Sequence, residues 1–268
     1  MNEFSADWLR LREPYDVRAR NRSVLNAVVE SFKEAVAIRV ADLGCGTGST
    51  LRALASSFPE SQDWRLFDND LSLLARARAA PHPATATVTA FHLDLSRDLE
   101  IFLEAPADIV TTFALLDLVS EAWFDQLALR IAARSIPLYA TMTHNGRNDL
   151  APTDSYDAPI LAAVRAHQCL DKGFGPALGA TAASFAIARL KSLGYSIVQG
   201  KSDWVIAPCD HNIQFEILSG WAAAAREMGG SLTSIAAWLA RRRELLTSGQ
   251  SSMRIGHVDF WARQTGTL

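Results

Sequence analysis

The fold of this chain is decided by the stretch Val40-Ala41-Asp42-Leu43-Gly44-Cys45-Gly46-Thr47-Gly48. Its apolar first half predicts a buried strand, and the alternating glycines predict a sharp turn into a helix that begins near Ser49. Glycine accepts positive φ angles and leaves room where a Cβ would meet a ligand. The N–H groups at the start of the helix would point at that ligand. The stretch therefore predicts the strand, loop and helix of an α/β domain that binds a ligand at the loop.

The glycine spacing excludes two common nucleotide-binding loops. A dinucleotide-binding loop needs glycine or alanine at position 49, where this chain has serine. Ser49 therefore disfavours a nicotinamide-dependent dehydrogenase. A phosphate-binding loop needs a lysine followed by serine or threonine, and no lysine lies within this loop.

The pattern that is present, an acid followed by three alternating glycines, resembles the first motif of the class I methyltransferases that use S-adenosylmethionine. That cofactor has no phosphate for a loop to cradle. The resemblance implies that the close backbone of Gly44, Cys45, Gly46 and Gly48 holds the methionine end of the cofactor, and that Asp42 orients the turn. A glycine-rich turn without a ligand is the alternative interpretation.

The composition is that of an ordinary soluble globular protein. The 268 residues could form one large α/β domain or two small ones, and the apolar fraction of 49% provides ample material for a core. A formal net charge of −3 gives no electrostatic footprint for nucleic acid. The one basic cluster, at residues 241–243, is expected on the solvated face of a helix.

Targeting and redox features favour a cytoplasmic location without membrane attachment. The three cysteines are scattered, which predicts a reducing compartment and no disulfide frame. Residues 1–13 are polar and carry both charges, so no signal peptide is expected there. No apolar stretch reaches the roughly 18 residues that a membrane helix needs. No pair of histidines has metal-ligand spacing, so no metal site is expected.

Strands and helices alternate along the chain, which favours a parallel sheet with helices on both faces. Strands are predicted at residues 38–43, 64–67, 85–93, 107–113, 136–143, 194–198 (with a continuation at 204–207) and 253–263. Helices are predicted at residues 49–57, 71–79, 121–134, 160–169, 181–193, 211–227 and 231–246. This order resembles the class I methyltransferase sheet, which implies a Rossmann-like, seven-stranded, mostly parallel sheet with an antiparallel final strand.

We expect a single domain over residues 1–268. An N-terminal helical cap over residues 1–35 precedes a cofactor-binding half over residues 36–145. Two helical inserts, at residues 146–180 and 208–248, are expected to cover the substrate.

The resemblance implies cofactor contacts at the ends of the second and third strands. Asp68, followed by Asn69, lies where an acid would accept hydrogen bonds from both ribose hydroxyls. A helix N-cap is the alternative role, for which Asp70 is better placed. The Asp94 side chain would face the adenine amino group and the Leu95 backbone the ring. A turn or cap role is the alternative for Asp94.

Two further cofactor contacts are expected around the methionine part. In the methyltransferases that this sequence resembles, the end of the fourth strand passes beneath the methionine part of the cofactor. The resemblance therefore implies that Phe113 and Ala114 are neighbours of the cofactor, and a plain core role is the alternative for Phe113. An arginine of the cap would pair with the methionine carboxylate, since a guanidinium matches that geometry. Arg20 is the candidate and Arg18 its competitor, and a solvated helix face is the alternative role.

Three residues are candidates for a catalytic base or substrate anchor. Asp117 follows the fourth strand, where ligands bind in open α/β sheets. His144 follows the fifth strand, and imidazole titrates near neutrality. His211 opens the second insert. For each, a loop residue without a catalytic part is the alternative. His82, His167 and His257 are isolated in the sequence and give no indication of a metal site.

The leading hypothesis is a methyltransferase that moves the methyl group of S-adenosylmethionine to a small molecule, at oxygen or nitrogen, by in-line transfer. Positioning supplies much of the catalysis in such a reaction, and a base is needed only if the acceptor atom carries a proton. The alternative is a regulatory protein that binds S-adenosylmethionine without transferring methyl. The sequence specifies neither the acceptor nor the oligomeric state.

Overall fold

The computed structural model describes residues 5–264 as a mixed sheet with helices around it. The strands are β1 (Ala37–Leu43), β2 (Ser61–Asp68), β3 (Ala86–His92), β4 (Ile109–Phe113), β5 (Leu138–Ala151), β6 (Tyr195–Lys201), β7 (Trp204–Ile206) and β8 (Ser252–Gln264). The helices are α1 (Ala6–Ala19), α2 (Arg22–Phe32), α3 (Ser49–Leu54), α4 (Leu71–Arg78), α5 (Glu121–Ala132), α6 (Asp157–Gln168), α7 (Ala182–Ser192), α8 (His211–Glu227) and α9 (Leu232–Thr247). The outermost residues of the predicted cap and domain, 1–4 and 265–268, lie outside the described residues.

The sheet has the predicted Rossmann-like architecture. Its strand order is β3-β2-β1-β4-β5-β8-β6, and the first five of these strands run parallel. The last strand, β8, is antiparallel to both β5 and β6, as expected. The predicted number of seven strands corresponds to this path, to which the short β7 adds an eighth strand that pairs with β8.

Strand β1 shows why helices cover both faces of the sheet. Side chains alternate between the two faces of a strand. Ala41 and Leu43 enter one core with α5 and α7, whereas Ile38 and Val40 enter another with α2, α3 and α4. The near-continuous apolar run of β1 is therefore explained by burial on both faces.

The fifth strand is longer than predicted, and the first insert begins within the sheet. Residues 144–151 are polar enough in sequence to be interpreted as the start of an insert. In the structure they continue β5 and pair with β8, with Asn148 opposite Ile255 and Leu150 opposite Met253. Register shifts after Ala140 and His144 bend the strand there. The partner strand satisfies the backbone, so polar side chains do not end the strand.

A third core lies among α6, α8 and α9, and the cap packs against it. Trp238 of α9 is fully buried in this core, and Trp8 and Tyr15 of α1 are partly buried against it. The cap and both inserts thus share one apolar cluster. None of the helices in residues 5–264 is long and apolar enough to cross a membrane.

The prediction that residues 241–243 form a solvated face is wrong for the middle residue. Arg242 is fully buried, and its guanidinium pairs with Asp157 and donates to the carbonyl of Pro152 at 2.6 Å. Arg241 and Arg243 on either side are exposed. The helical period turns neighbouring residues about 100° apart, so one member of a basic run can point inward.

Candidate active site at the carboxyl edge of the sheet

The glycine loop connects β1 to α3 in a conformation that only glycine adopts easily. Gly44, Gly46 and Gly48 have φ angles of 65°, 54° and 82°. A Cβ added at Gly46 would lie 3.4 Å from Leu9 of the cap. Cys45 is buried, which raises the pKa of its thiol well above the usual value, so its expected contribution comes from the backbone.

Asp68 braces the loop from the end of β2. Its Oδ2 accepts a hydrogen bond from the Gly46 N–H at 2.8 Å, and its Oδ1 accepts one from the Asp70 N–H at 3.0 Å. Each carboxylate oxygen has a second lone pair available for a ligand hydroxyl. Burial raises the pKa of Asp68, while the two backbone donors oppose the shift. Asn69 is exposed beside it.

Asp70 caps α4, as the sequence predicts. Its Oδ1 accepts hydrogen bonds from the Ser72 and Leu73 N–H groups at 2.7 and 3.1 Å. These bonds satisfy two of the free donors at the start of the helix. Asp70, and not Asp68, therefore caps α4. The lone pairs of Asp68 that accept no backbone N–H are left for a ligand.

Asp42 lies under the loop and joins two strands. Its side chain is fully buried, and its Oδ1 accepts a hydrogen bond from Thr111 of β4 at 2.7 Å. Burial raises the pKa of Asp42 to about 7, against the opposing effect of the hydrogen bond. This hydrogen bond joins β1 to β4, and the predicted role of Asp42 in orienting the turn stays a prediction.

Asp94 adopts the turn role that the sequence left open as its alternative. Its Oδ1 accepts hydrogen bonds from the Ser96 N–H at 3.0 Å and the Ser96 hydroxyl at 2.6 Å, and these lower its pKa. Arg97 lies 3.5 Å from the other carboxylate oxygen. The carbonyl of Leu95 accepts a hydrogen bond from the Trp123 indole at 2.7 Å. The predicted adenine contacts of Asp94 and Leu95 stay predictions.

Arg20 is buried with most of its hydrogen-bonding capacity open. It is 6% exposed, and its one described hydrogen bond runs from Nη1 to the hydroxyl of Tyr139 at 3.4 Å. Its Nε and Nη2 are buried and have no partner within residues 5–264. The guanidinium lies 5.7 Å from the centre of the Phe113 ring. Arg18 is exposed and lies over the ring of Tyr15 instead.

The cap lies against the glycine loop through several contacts. Glu13 of α1 pairs with Arg52 of α3 at 2.6 Å, and Arg52 in turn donates to the carbonyl of Thr47. Near the end of α1, the Tyr15 hydroxyl donates to Asp210 at 2.8 Å. The cap therefore links the cofactor loop to the start of the second insert.

Asp117 brings an open carboxylate oxygen to the end of β4. Its Oδ1 is buried and has no hydrogen-bond partner among the described residues. Burial raises the pKa of Asp117, and the neighbouring His144 and Arg12 oppose the shift. The Arg12 guanidinium also lies 5.3 Å from the centre of the Phe113 ring. Asp117, Phe113 and Arg20 thus surround the same end of the sheet.

His144 lies beside Asp117, and its ring nitrogens have partners. The Gly146 N–H donates to Nδ1 at 3.3 Å, and Nε2 lies 3.4 Å from Oδ1 of Asn148. The contacts engage both ring nitrogens of His144, Nδ1 with the backbone and Nε2 with a side chain. The free basic lone pair that a catalytic base needs is therefore engaged by the backbone.

The structure brings together two histidines that are far apart in sequence. His257 of β8 lies directly opposite His144, and the ring centroids are 5.8 Å apart. His257, which is isolated in the sequence, therefore has a histidine neighbour in the structure. Burial lowers the pKa of His257 well below its usual value, and the charges of His144 and Arg12 act in the same direction. Only strand pairing could reveal this neighbour, since the sequence carries no local signal.

His211 is not part of this cluster. It lies exposed in the first turn of α8 and has no hydrogen bond or ring contact with Asp117 or His144 in the described structure. Asp210 precedes it, and its carboxylate accepts from Tyr15 and the Ala207 N–H rather than from the helix start. Within residues 5–264, no group of three or more His, Cys, Asp or Glu could hold a metal ion.

Comparison with known proteins gives a consistent picture. A family model described as a methyltransferase domain matches residues 40–136, whereas no curated protein sequence matches the chain. The solved YcgJ protein of Bacillus subtilis is similar over 92% of this chain and 100% of its own, with 14% identity and a TM-score of 0.51. A cyclopropane-fatty-acyl-phospholipid synthase-like protein of Lactobacillus casei ATCC 334 is similar over 95% and 93%, with 14% identity and a TM-score of 0.54. At these identities the structural similarity establishes the fold.

Proposed function

We propose that this chain, whose residues 40–136 match a methyltransferase-domain family model, is an S-adenosylmethionine-dependent methyltransferase of class I, and that it methylates a small-molecule acceptor whose oxygen or nitrogen carries a proton. One observation supports this proposal most directly. The buried, unpartnered Oδ1 of Asp117 lies at the same end of the sheet as the open guanidinium of Arg20. Buried polar atoms are normally paired, so both groups point to ligands that complete them.

The residues around the loop fit S-adenosylmethionine. Arg20 offers two buried N–H donors to a carboxylate, and Asp68 offers acceptors to a pair of hydroxyls. The proposed cofactor set contains Arg20, Asp42, Gly44, Cys45, Gly46, Gly48, Asp68, Asn69, Asp94, Leu95 and Phe113. When bound, the cofactor supplies a methyl group activated by its sulfonium sulfur.

Asp117 is the proposed base, and His144 is its neighbour. A general base must have a free acceptor atom within reach of the proton it takes. Oδ1 of Asp117 meets this requirement, whereas Nδ1 of His144 already accepts from the Gly146 N–H. The proton of the acceptor oxygen or nitrogen would pass to Oδ1 of Asp117 as that atom bonds to the methyl carbon, while the bond between the methyl carbon and the sulfonium sulfur breaks and S-adenosylhomocysteine leaves as the neutral thioether. Burial raises the pKa of Asp117, which makes its carboxylate a stronger base than an exposed one.

The packing of the cap against the rest of the chain is evidence that the acceptor is a small molecule, which the site could enclose. Trp8 and Tyr15 of α1 each lie 6.3 Å from Trp204, measured between ring centroids, and Arg12 lies 4.9 Å from the centre of the same ring. These rings form an apolar wall over the end of the sheet. Water exclusion at such a site strengthens the electrostatic effect of the Asp117 carboxylate.

Binding of the demethylated cofactor, S-adenosylhomocysteine, tests the cofactor site. We expect the Asp68→Ala variant to bind it roughly 10- to 150-fold more weakly, because hydrogen bonds to a charged group contribute about 1.5–3 kcal/mol. Isothermal titration calorimetry measures the affinity. Asp70→Ala is the matched control, since it removes the cap of α4 from the same segment. Equal affinities of the Asp68→Ala variant and the wild type would remove Asp68 from the cofactor site.

Turnover separates the enzyme from a protein that only binds the cofactor. The wild-type protein is incubated with S-adenosylmethionine and a panel of phenols, alcohols and amines, and formation of S-adenosylhomocysteine is followed. We expect at least one of these classes to support turnover. Tight binding without turnover across the panel would favour a regulatory protein that binds S-adenosylmethionine.

A further inference from the structure

A fully buried carboxylate on β8 joins three separate parts of the chain. Oδ2 of Asp259 accepts a hydrogen bond from the Asn21 N–H at 2.8 Å. Its Oδ1 accepts one from the Met142 N–H at 2.8 Å and one from the Ser202 hydroxyl at 2.6 Å. All three contacts require an acceptor, which is the hydrogen-bonding pattern of an ionised carboxylate.

Two contacts of Asp259 fix segments that border the proposed cofactor site. Asn21 directly follows Arg20 and caps α2, where its side chain accepts from the Val24 N–H at 3.1 Å. Met142 has a φ angle of 55° and lies at the register shift of β5 that precedes His144. The carboxylate therefore holds the backbone on both sides of the crevice.

Asp259 also compensates the charge of Arg20 without occupying its donors. No ion pair between these two side chains is present in the described structure. The charge of Arg20 nevertheless helps to keep the pKa of Asp259 from rising further, against the dominant effect of burial. A direct ion pair would satisfy the guanidinium. Compensation through space leaves Nε and Nη2 of Arg20 open to a ligand.

We propose that Asp259 is the positioning residue that presents Arg20 to the carboxylate of the cofactor. By holding the Asn21 N–H, it fixes the chain at the junction of α1 and α2, where the Arg20 side chain turns into the crevice. This inference rests on the proposed function, in which Arg20 binds that carboxylate.

Two ligands that differ in the amino-acid part test the proposal without an acceptor. S-Adenosylhomocysteine carries the carboxylate, and 5′-methylthioadenosine lacks it. We expect Arg20→Met and Asp259→Asn to weaken binding of the first ligand by about tenfold or more, because each loses interactions with a charged group. Binding of 5′-methylthioadenosine should change less than about twofold. The double variant should bind no more weakly than Arg20→Met, since coupled residues are not additive.

Two further variants separate positioning from a general loss of structure. Asp108→Asn is the matched control, because Asp108 also accepts a backbone N–H, that of Arg39 at 2.8 Å, but near the start of β1 and β4. It should affect neither ligand selectively. Ser202→Ala removes only one hydrogen-bond donor from Asp259 and should weaken binding of S-adenosylhomocysteine selectively, but less than Asp259→Asn does. This variant replaces Asp259→Asn in the experiment if thermal melting shows that Asp259→Asn does not fold.

The outcomes distinguish this inference from the proposed function. The positioning role would be overturned if Asp259→Asn and Ser202→Ala weakened the binding of both ligands equally, or if neither variant weakened binding. Selective loss of S-adenosylhomocysteine supports it, even if no small molecule accepts methyl and the proposed function fails. A wild-type protein that binds neither ligand would contradict both proposals.

Discussion

Replacing Asp117 with asparagine is expected to lower the rate of methyl transfer by about 10²- to 10⁴-fold, the range typical of a lost general base. Asparagine preserves the size of the side chain but cannot take a proton. The Oδ1 of Asp117 is buried and has no partner in residues 5–264, whereas the Nδ1 of the neighbouring His144 already accepts the Gly146 N–H. Initial rates of S-adenosylhomocysteine formation, with an acceptor from the panel, measure the effect.

The pH dependence and two control variants make the Asp117 experiment specific. Since the base must be ionised, kcat/KM of the wild type should fall as the pH drops through the raised pKa of Asp117. The Asp117→Asn variant should lose this dependence and keep its affinity for S-adenosylhomocysteine. His144→Gln should cost less, because the imidazole is a neighbour of Asp117 and does not take the proton itself, and exposed His211→Ala should cost little. A rate within threefold of the wild type would exclude Asp117 as the base.

The part of the site that the sequence could predict consists of residues with local signals. The glycines of the loop follow a strand directly, and Asp68 lies at the end of the next strand in the chain. Their mutual contact, from the Gly46 N–H to Asp68, follows from the parallel pairing of β1 with β2. Parallel neighbours place their carboxyl ends at one edge, so the order of the strands was enough.

The part that the sequence could not predict depends on pairing between distant segments. His257 faces His144, and Asp259 contacts Met142, because β8 inserts between β5 and β6 in antiparallel register. A shift of that register by one residue would turn each of these side chains to the other face. No local pattern fixes this register. The contacts of Asp259 therefore could not be predicted from the sequence.

The polar continuation of β5 escaped prediction for a related reason. Hydrophobic alternation indicates a strand only where one face is buried against a core. The side chains of His144, Asn145 and Asn148 make polar contacts and do not pack into a core, so their types resemble those of a loop. Pairing with β8 holds the strand regardless of that composition. Sequence patterns are least informative at positions where functional chemistry replaces packing.

The sequence pattern also failed to predict that Arg242 is buried. Its removal is expected to have the largest effect on stability. Its guanidinium pairs with Asp157, which also accepts from the Trp238 indole at 2.8 Å. Arg242→Ala would leave that carboxylate buried beside a cavity, and we expect the free energy of unfolding to fall by about 3–5 kcal/mol. Urea denaturation followed by circular dichroism measures the change.

Exposed Arg243→Ala, which loses only a contact with the Phe215 ring at 4.7 Å, is the matched control and should cost less than about 1 kcal/mol. Similar losses for both variants would mean that the α6–α9 ion pair does not stabilise the second insert.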